Sequence, residues 1–222
     1  MQPLQTPPTA LSDLALTVVE QEEMTRFLQD LVRTPSGSTR EGAVAQRVTQ
    51  ELDRLGVQTY TVDPVGNILV TLGSGEGPVL LFDAHMDTVE PAQEGWLHDP
   101  YSAVIEDGVL YGLGACDMKG SLAAMVYTAA RLTRSGVSLQ GTLLLAFVVQ
   151  EEPCEGGALR LLLEGQNLRP DWVILGEPSN LQIMRGHRGR VLFRVTVHGR
   201  SSHGSQPELG RNAIMDAARL IF

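Results

Sequence analysis

Three uninterrupted apolar runs, VLLF at 79–82, TLLLAFVV at 142–149 and WVILG at 172–176, constrain this chain more than any other feature. Runs of that kind read as strands of a parallel sheet buried on both faces, because covering helices leave neither side wet. Helical periodicity separates them. Met118, Leu122, Met125, Val126, Ala129 and Leu132 recur along one helix face that closes at Gly136, and GALRLLLEG at 157–165 supplies a second crossover. Strand, helix, strand, helix, strand predicts an α/β fold, a mainly parallel, doubly wound sheet with helices on both faces.

Around this centre the pattern is less repetitive. Residues 1–17 read as a loose N-terminal arm, and a helix is predicted from about Val19 to Val32, stopped by Pro35. Ser38 and Glu41 have the spacing of a capping box for a second helix ending near Gly56. TYTVD and NILVTL read as short strands, and AVIEDGVLYG as a hairpin turning at Asp107-Gly108. Beyond about residue 185 the signal changes: VLFRVTVHG mostly alternates apolar and polar residues, which suits a sheet wetted on one side, and a helix is predicted from near Asn212. The expected organisation is an arm, a catalytic domain over 18–184 that lacks its C-terminal part, and the beginning of an α+β lid domain over 185–222.

The composition excludes several classes. A formal charge of −9 disfavours nucleic acid, whose phosphates require a basic surface. The longest apolar run, LLLAFVV, is too short for a membrane-spanning helix, and MQPLQTPPTALSD has no basic segment followed by an apolar one. Two cysteines make no disulfide framework and no CxxC motif, so a reducing, cytoplasmic setting is expected. GLGACD fails as a dinucleotide fingerprint because Asp117 stands where the third glycine belongs. Cys116 reads as a small buried residue, since no histidine is placed by sequence to activate it.

Ligand-type residues follow each strong strand. VLLF leads to His85 and Asp87, TLLLAFVV to Glu151 and Glu152, and WVILG to Glu177, while Asp117 precedes a helix. Sites in open α/β sheets form beyond the carboxyl ends of strands, so these groups are expected together. So many carboxylates without counter-charge would have to take up protons in order to remain buried. Divalent cations remove the conflict. Oxygen and imidazole donors suit Zn²⁺, Mn²⁺ or Co²⁺, and the excess of carboxylates favours a two-metal site with a bridging acid. In the HxD pair, Asp87 is placed to hold the far nitrogen of His85. Adjacent residues in extended backbone point opposite ways, so Glu151 and Glu152 are expected to differ in role, one binding metal and one acting as general base.

AHMDTVEP, GLGACDMKGSLAAM, VVQEE, LGEPS and GHRGRVLFRVTVHGRSSHGSQPELGRNAI resemble, in order, the motifs of the di-zinc metallopeptidase family of aminoacylase, acetylornithine deacetylase, succinyl-diaminopimelate desuccinylase and carboxypeptidase G. RGHRGR and HGSQPELGRNAI are most similar to a branch linked to selenium metabolism. The resemblance implies that His85, Asp117 and Glu177 hold one zinc, and that Asp117, bridging, and Glu152 hold the other. It further implies Asp87 as support for His85, Glu151 as general base, and a cis peptide after Asp117. A last histidine ligand lies in the family after the lid, beyond residue 222. His203 matches a lid histidine that assists the oxyanion and Asn212 a residue that contacts the substrate carboxylate; a turn histidine and a helix N-cap are the plainer alternatives. His98, His187 and His198 match no site position. The function implied is hydrolysis of the amide bond of an N-acyl amino acid or short peptide by a water activated between two zinc ions, in a homodimer formed through the lid. The other expectation is a truncated fragment or pseudoenzyme that binds metal incompletely.

Overall fold

The computed structural model describes residues 14–73, 75–186 and 188–221. Most of the expected N-terminal arm, and His187, lie outside the described residues. The chain forms two compact units, one running to Leu181 and the other Gln182–Phe222.

The first unit is built on a five-stranded sheet in the order β1-β2-β6-β3-β7. β1 (Tyr60–Val62) and β2 (Ile68–Gly73) are antiparallel to each other, and β2 is antiparallel to β6 (Thr142–Val148). β3 (Val79–His85) runs parallel to β6 on one side and to β7 (Trp172–Leu175) on the other. The helix after β3 is α3 (Gly120–Ser135); β6 is followed by a short α4 (Glu151–Cys154) and then α5 (Gly157–Gly165). The crossover from β3 to β6 moves one way along the sheet and that from β6 to β7 moves back across β3. By the right-handed rule for parallel crossovers, connections running in opposite directions along the sheet put α3 and α5 on opposite faces, as in double winding.

α1 (Val18–Arg33) starts at a complete capping box: Thr17 accepts from the Glu20 amide, and the Glu20 carboxylate accepts from the Thr17 amide at 2.8 Å. α1 and α2 (Gly42–Arg54) pack against α3, which closes on the left-handed Gly136. Phe27, Leu31, Val44, Val48, Leu52, Leu122, Val126, Leu144 and Phe147 lie in the resulting core. Each such side chain contributes roughly 1.5–3 kcal/mol by leaving water. The hairpin of β4 (Val104–Glu106) and β5 (Val109–Tyr111) turns where expected, with Asp107 and Gly108 both at positive φ. Among the described residues, no helix is long and apolar enough to cross a membrane.

Three expectations are corrected. Ser38 and Glu41 do not form a capping box: α2 begins without a side-chain cap, and both side chains are bonded elsewhere. β7 is not buried on both faces; it is the edge strand, and Trp172, Val173, Ile174 and Leu175 are all exposed. Residues 191–199 form no strand. Alternation stabilises a strand only when a neighbour pairs with it, and among the described residues of the second unit the β pairing is an isolated bridge between Arg200 and Arg211. α6 (Ala213–Ile221) begins as expected, with Asn212 Oδ1 accepting the Ile214 and Met215 amides.

Glu51 ties α2 to α3 through Tyr127, and it orients Arg47 and Arg54, which reach Asp30 and Glu23 of α1. It is 2% exposed and accepts from Arg54 (2.7 Å), Arg47 (2.9 Å) and the Tyr127 hydroxyl (2.8 Å). Burial works to raise its pKa, but these donors outweigh burial and hold it below the ordinary carboxylate value. A depressed pKa adds stability above the unfolded value of 4.5 that is lost as pH falls through the folded one. Glu51→Gln is expected to lower the unfolding free energy at pH 7 by about 2 kcal/mol. In urea titrations that difference shrinks toward pH 3; a difference independent of pH would remove the ionised network.

Candidate metal centre

Winding reverses at β3, between its connections to β6 and to β7, and the carboxyl ends of strands at such a reversal are where sites form in open α/β sheets. The ladder register pairs His85 with Val148 and Asp83 with Leu175, so β3, β6 and β7 end at one edge. His85 closes β3 and is 2% exposed. Its Nδ1 donates to the main-chain carbonyl of Asp87 at 2.9 Å, which leaves Nε2 facing Asp117 Oδ1 at 3.1 Å and Glu177 Oε1 at 3.9 Å. Donor atoms of His85, Glu151 and Glu177 lie within 4.8 Å of one another. Imidazole from β3, a carboxylate from the turn after β6 and one from beyond β7 therefore converge, with Asp117 alongside.

Asp117 sits in a turn, Ala115–Lys119, that precedes α3; the Lys119 amide closes it on the Gly114 carbonyl with π-helical spacing, while Asp117 and Met118 themselves leave helical φ/ψ. Gly114 turns into it with φ +78, where a Cβ would lie 2.7 Å from Thr88 Cγ2. The Asp117–Met118 peptide is cis, as the motif resemblance implies. Lys119 is buried and donates its Nζ to the carbonyls of Leu31 (2.8 Å) and Thr34 (3.0 Å), tying this turn to the end of α1; burial lowers its pKa to about 8.

Asp87 departs from its expected contact. Its carboxylate is 3.5 Å from His85 Nδ1, whereas it accepts from Ser38 Oγ at 2.7 Å and from the amides of Glu151 (3.0 Å) and Glu152 (3.3 Å). Its main chain thus orients the imidazole while its side chain holds the paired glutamates. Glu151 joins His85 and Glu177 within one ligand-sized volume; Glu152 is not part of that triplet, though its carboxylate responds to His85, Asp117 and Asp87. His203 and Asn212 belong to the second unit. His203 Nδ1 is 2.7 Å from Ser205 Oγ and accepts from the Ser205 amide, and Asn212 caps α6, so each makes the plainer contact named for it. Cys116, expected to be buried, is exposed on the π-helical turn.

Burial, with added repulsion from neighbouring acids, raises the pKa of Glu151 and Glu152 and pushes Glu177 up to about 7; His85 acts against the rise in each case. Asp83, two residues before His85 on the same strand face, was missed in the sequence. It is 8% exposed, its Oδ1 has no hydrogen-bond partner among the described residues, and burial raises its pKa to about 7. The available signal was a carboxylate inside an apolar strand, at the two-residue spacing that puts it beneath His85.

This donor set, one imidazole and several carboxylates with raised pKa, fits a hard or borderline divalent cation. The sequence pattern of peptidase family M20/M25/M40 matches residues 81–220. The chain is a member of that family. It is 40% identical over 202 residues to the uncharacterised protein YgeY of Escherichia coli K12, covering 90% of this chain and 50% of that protein. It is 34% identical over 215 residues to a succinyl-diaminopimelate desuccinylase of Gluconacetobacter diazotrophicus, covering 90% and 55%. The chain thus spans about half the length of these curated relatives. Among solved structures, human carnosine dipeptidase 1 aligns at TM-score 0.59 and 26% identity over 77% of this chain and 41% of its own. A tripeptidase of Staphylococcus aureus aligns at TM-score 0.62 and 23% identity, over 91% and 56%, which speaks for the fold alone.

Acids with raised folded pKa favour the folded state most strongly below their unfolded values, and that contribution is lost as pH rises through about 7. At pH 6.5 these groups carry protons that a cation must displace. Zn²⁺ titration calorimetry in two buffers of different ionisation enthalpy is expected to record release of on the order of one proton at pH 6.5 and less at pH 8.5. Equal heats in both buffers at pH 6.5 would contradict the arrangement.

Proposed function

We propose that this M20 chain supplies most of the metal site of an amidohydrolase that cleaves N-acyl amino acids or short peptides, with two zinc ions, or Co²⁺ or Mn²⁺, bound per site. The observation that carries the reading is the meeting of His85, Asp117, Glu151 and Glu177 where β3, β6, β7 and the π-helical turn end. The substrate class is supported by relatives named as desuccinylase and dipeptidase.

His85, Asp117 and Glu177 are the residues assigned to one cation, with Asp117 shared and Glu152 on the second. When bound, divalent cations there neutralise the carboxylates, polarise a carbonyl, and lower the pKa of a water from about 15.7 toward about 7. Glu151 is the general base. Burial raises its pKa, so it can take a proton from the attacking water and return it to the departing amine nitrogen. The bond between His85 Nδ1 and the Asp87 carbonyl fixes the tautomer that leaves Nε2 as a donor atom. Roles for His203 in stabilising the oxyanion and for Asn212 in holding a substrate carboxylate rest on motif resemblance alone, as do a homodimer formed through the second unit and a cytoplasmic location.

The test is a hydrolysis screen of acyl-amino acids and dipeptides on the full-length gene product, with metal analysis of variants. Glu151→Gln is expected to lower kcat by about 100-fold or more with metal content nearly unchanged. Glu152→Gln and Asp117→Ala are expected to lose metal, Asp117→Ala both ions. Loss of metal from Glu151→Gln alone would exchange the two glutamates, a result the position of Glu151 beside His85 and Glu177 makes worth separating.

A further inference from the structure

Beyond the last ladder residue of β6, Val148, the backbone turns sharply into α4, and its amides have no strand neighbour. The first amides of any helix also lack partners within it. Here four consecutive amides are taken up by side-chain oxygens from distant parts of the chain. Val149 N donates to Asn67 Oδ1 (3.0 Å), Gln150 N to Glu41 Oε1 (3.0 Å), Glu151 N to Asp87 Oδ1 (3.0 Å) and Glu152 N to Asp87 Oδ2 (3.3 Å). Asn67, Glu41 and Asp87 are all buried. Gln150 is held at φ +54, a left-handed conformation that a residue with a Cβ rarely adopts.

These oxygens are themselves braced. Ser38 Oγ donates to Asp87 Oδ2, and Glu41 Oε1 also accepts the Thr39 amide. Asn67 donates its Nδ2 to Asp63 Oδ2 (2.7 Å) and to the Ala158 carbonyl (3.3 Å). The Thr88 amide donates to the Ser36 carbonyl (3.0 Å), so the segment 36–41 is also bonded to the loop after His85. Residues 36–41 and Asn67, far in sequence from every motif of the site, therefore frame the turn that carries its paired acids.

We propose that Glu41, Ser38 and Asn67 are positioning residues for Glu151 and Glu152: they form an amide rack that fixes where the two carboxylates stand. Bonds from N–H groups to carboxylates are the stronger kind, and a rack of them is shaped before any ligand arrives. The catalytic consequence rests on the hydrolase reading above; the geometric one does not.

The test uses the full-length gene product and Co²⁺ as the spectroscopic probe. Cobalt affinity and the shape of its visible absorption band are measured for Glu41→Ala, Glu41→Gln, Ser38→Ala and Ser38→Thr, together with kcat, KM and Tm. Glu41→Ala is expected to lower cobalt affinity or kcat by about 10- to 100-fold and to alter the band, with KM within about twofold. Glu41→Gln keeps an acceptor oxygen and returns both values to within about threefold of wild type. Ser38→Ala gives a smaller loss in the same direction, and Ser38→Thr restores it.

A fall in Tm with band, affinity and kcat unchanged would overturn the proposal. Should Glu41→Ala fail to fold, Ser38→Ala, which removes one hydroxyl from a half-buried loop, decides by the same readouts. A wild-type protein that gives the cobalt band but cleaves no amide sinks the hydrolase reading, and the band of the variants still decides the rack. A wild-type protein with no band overturns both.

Discussion

The parallel pairing of β3 with β6 and β7 is the constraint on which the site depends. Main-chain bonds align His85 with Val148 and Asp83 with Leu175, so three strands release their chains at one edge. A shift of one residue in β3 would turn His85 and Asp83 to the other face and bring Ala84 into their place. Side chains of the core hold this register by mass rather than by any one contact: Leu81, Ala84, Leu144 and Phe147 are all removed from water.

That alignment brings acids together at a cost. Asp83, Glu151, Glu152 and Glu177 all have pKa values raised by burial, which is free energy spent against the charged forms. Nothing in hydrophobic packing calls for such a cluster, and the amide rack around 149–152 organises it further. Folding energy is being used to hold charges where a cation can compensate them.

The sheet was legible because its strands are apolar without interruption and its helices repeat at the α period; α1, α3, α5 and the Asp107-Gly108 hairpin lie where periodicity and turn chemistry place them. β7 misled because an apolar run specifies a strand but not how much covers it. VLFRVTVHG misled for a related reason, since alternation is a promise of pairing that only a neighbouring strand can keep. In the site, His85, Asp117 and Glu177 stood out as polar residues that follow apolar strands or precede a helix. The work of Ser38, Glu41 and Asn67 was hidden. Ser38 donates to the Asp87 carboxylate 49 residues away, Asn67 and Glu41 accept backbone amides 82 and 109 residues away, and no local pattern marks such bonds. Ser38 and Glu41 even carried a false local signal, because hydroxyl and carboxylate at capping-box spacing serve equally well to bind something distant.

The most direct measurement is anomalous diffraction at the zinc edge from crystals of the full-length gene product grown with Zn²⁺. Strong peaks are expected at the carboxyl ends of β3 and β6, about 2.0–2.2 Å from His85 Nε2 and from carboxylate oxygens of Asp117, Glu177 and one of the Glu151–Glu152 pair. No anomalous density there, with His85 still bonded directly to Asp117, would contradict the metal centre.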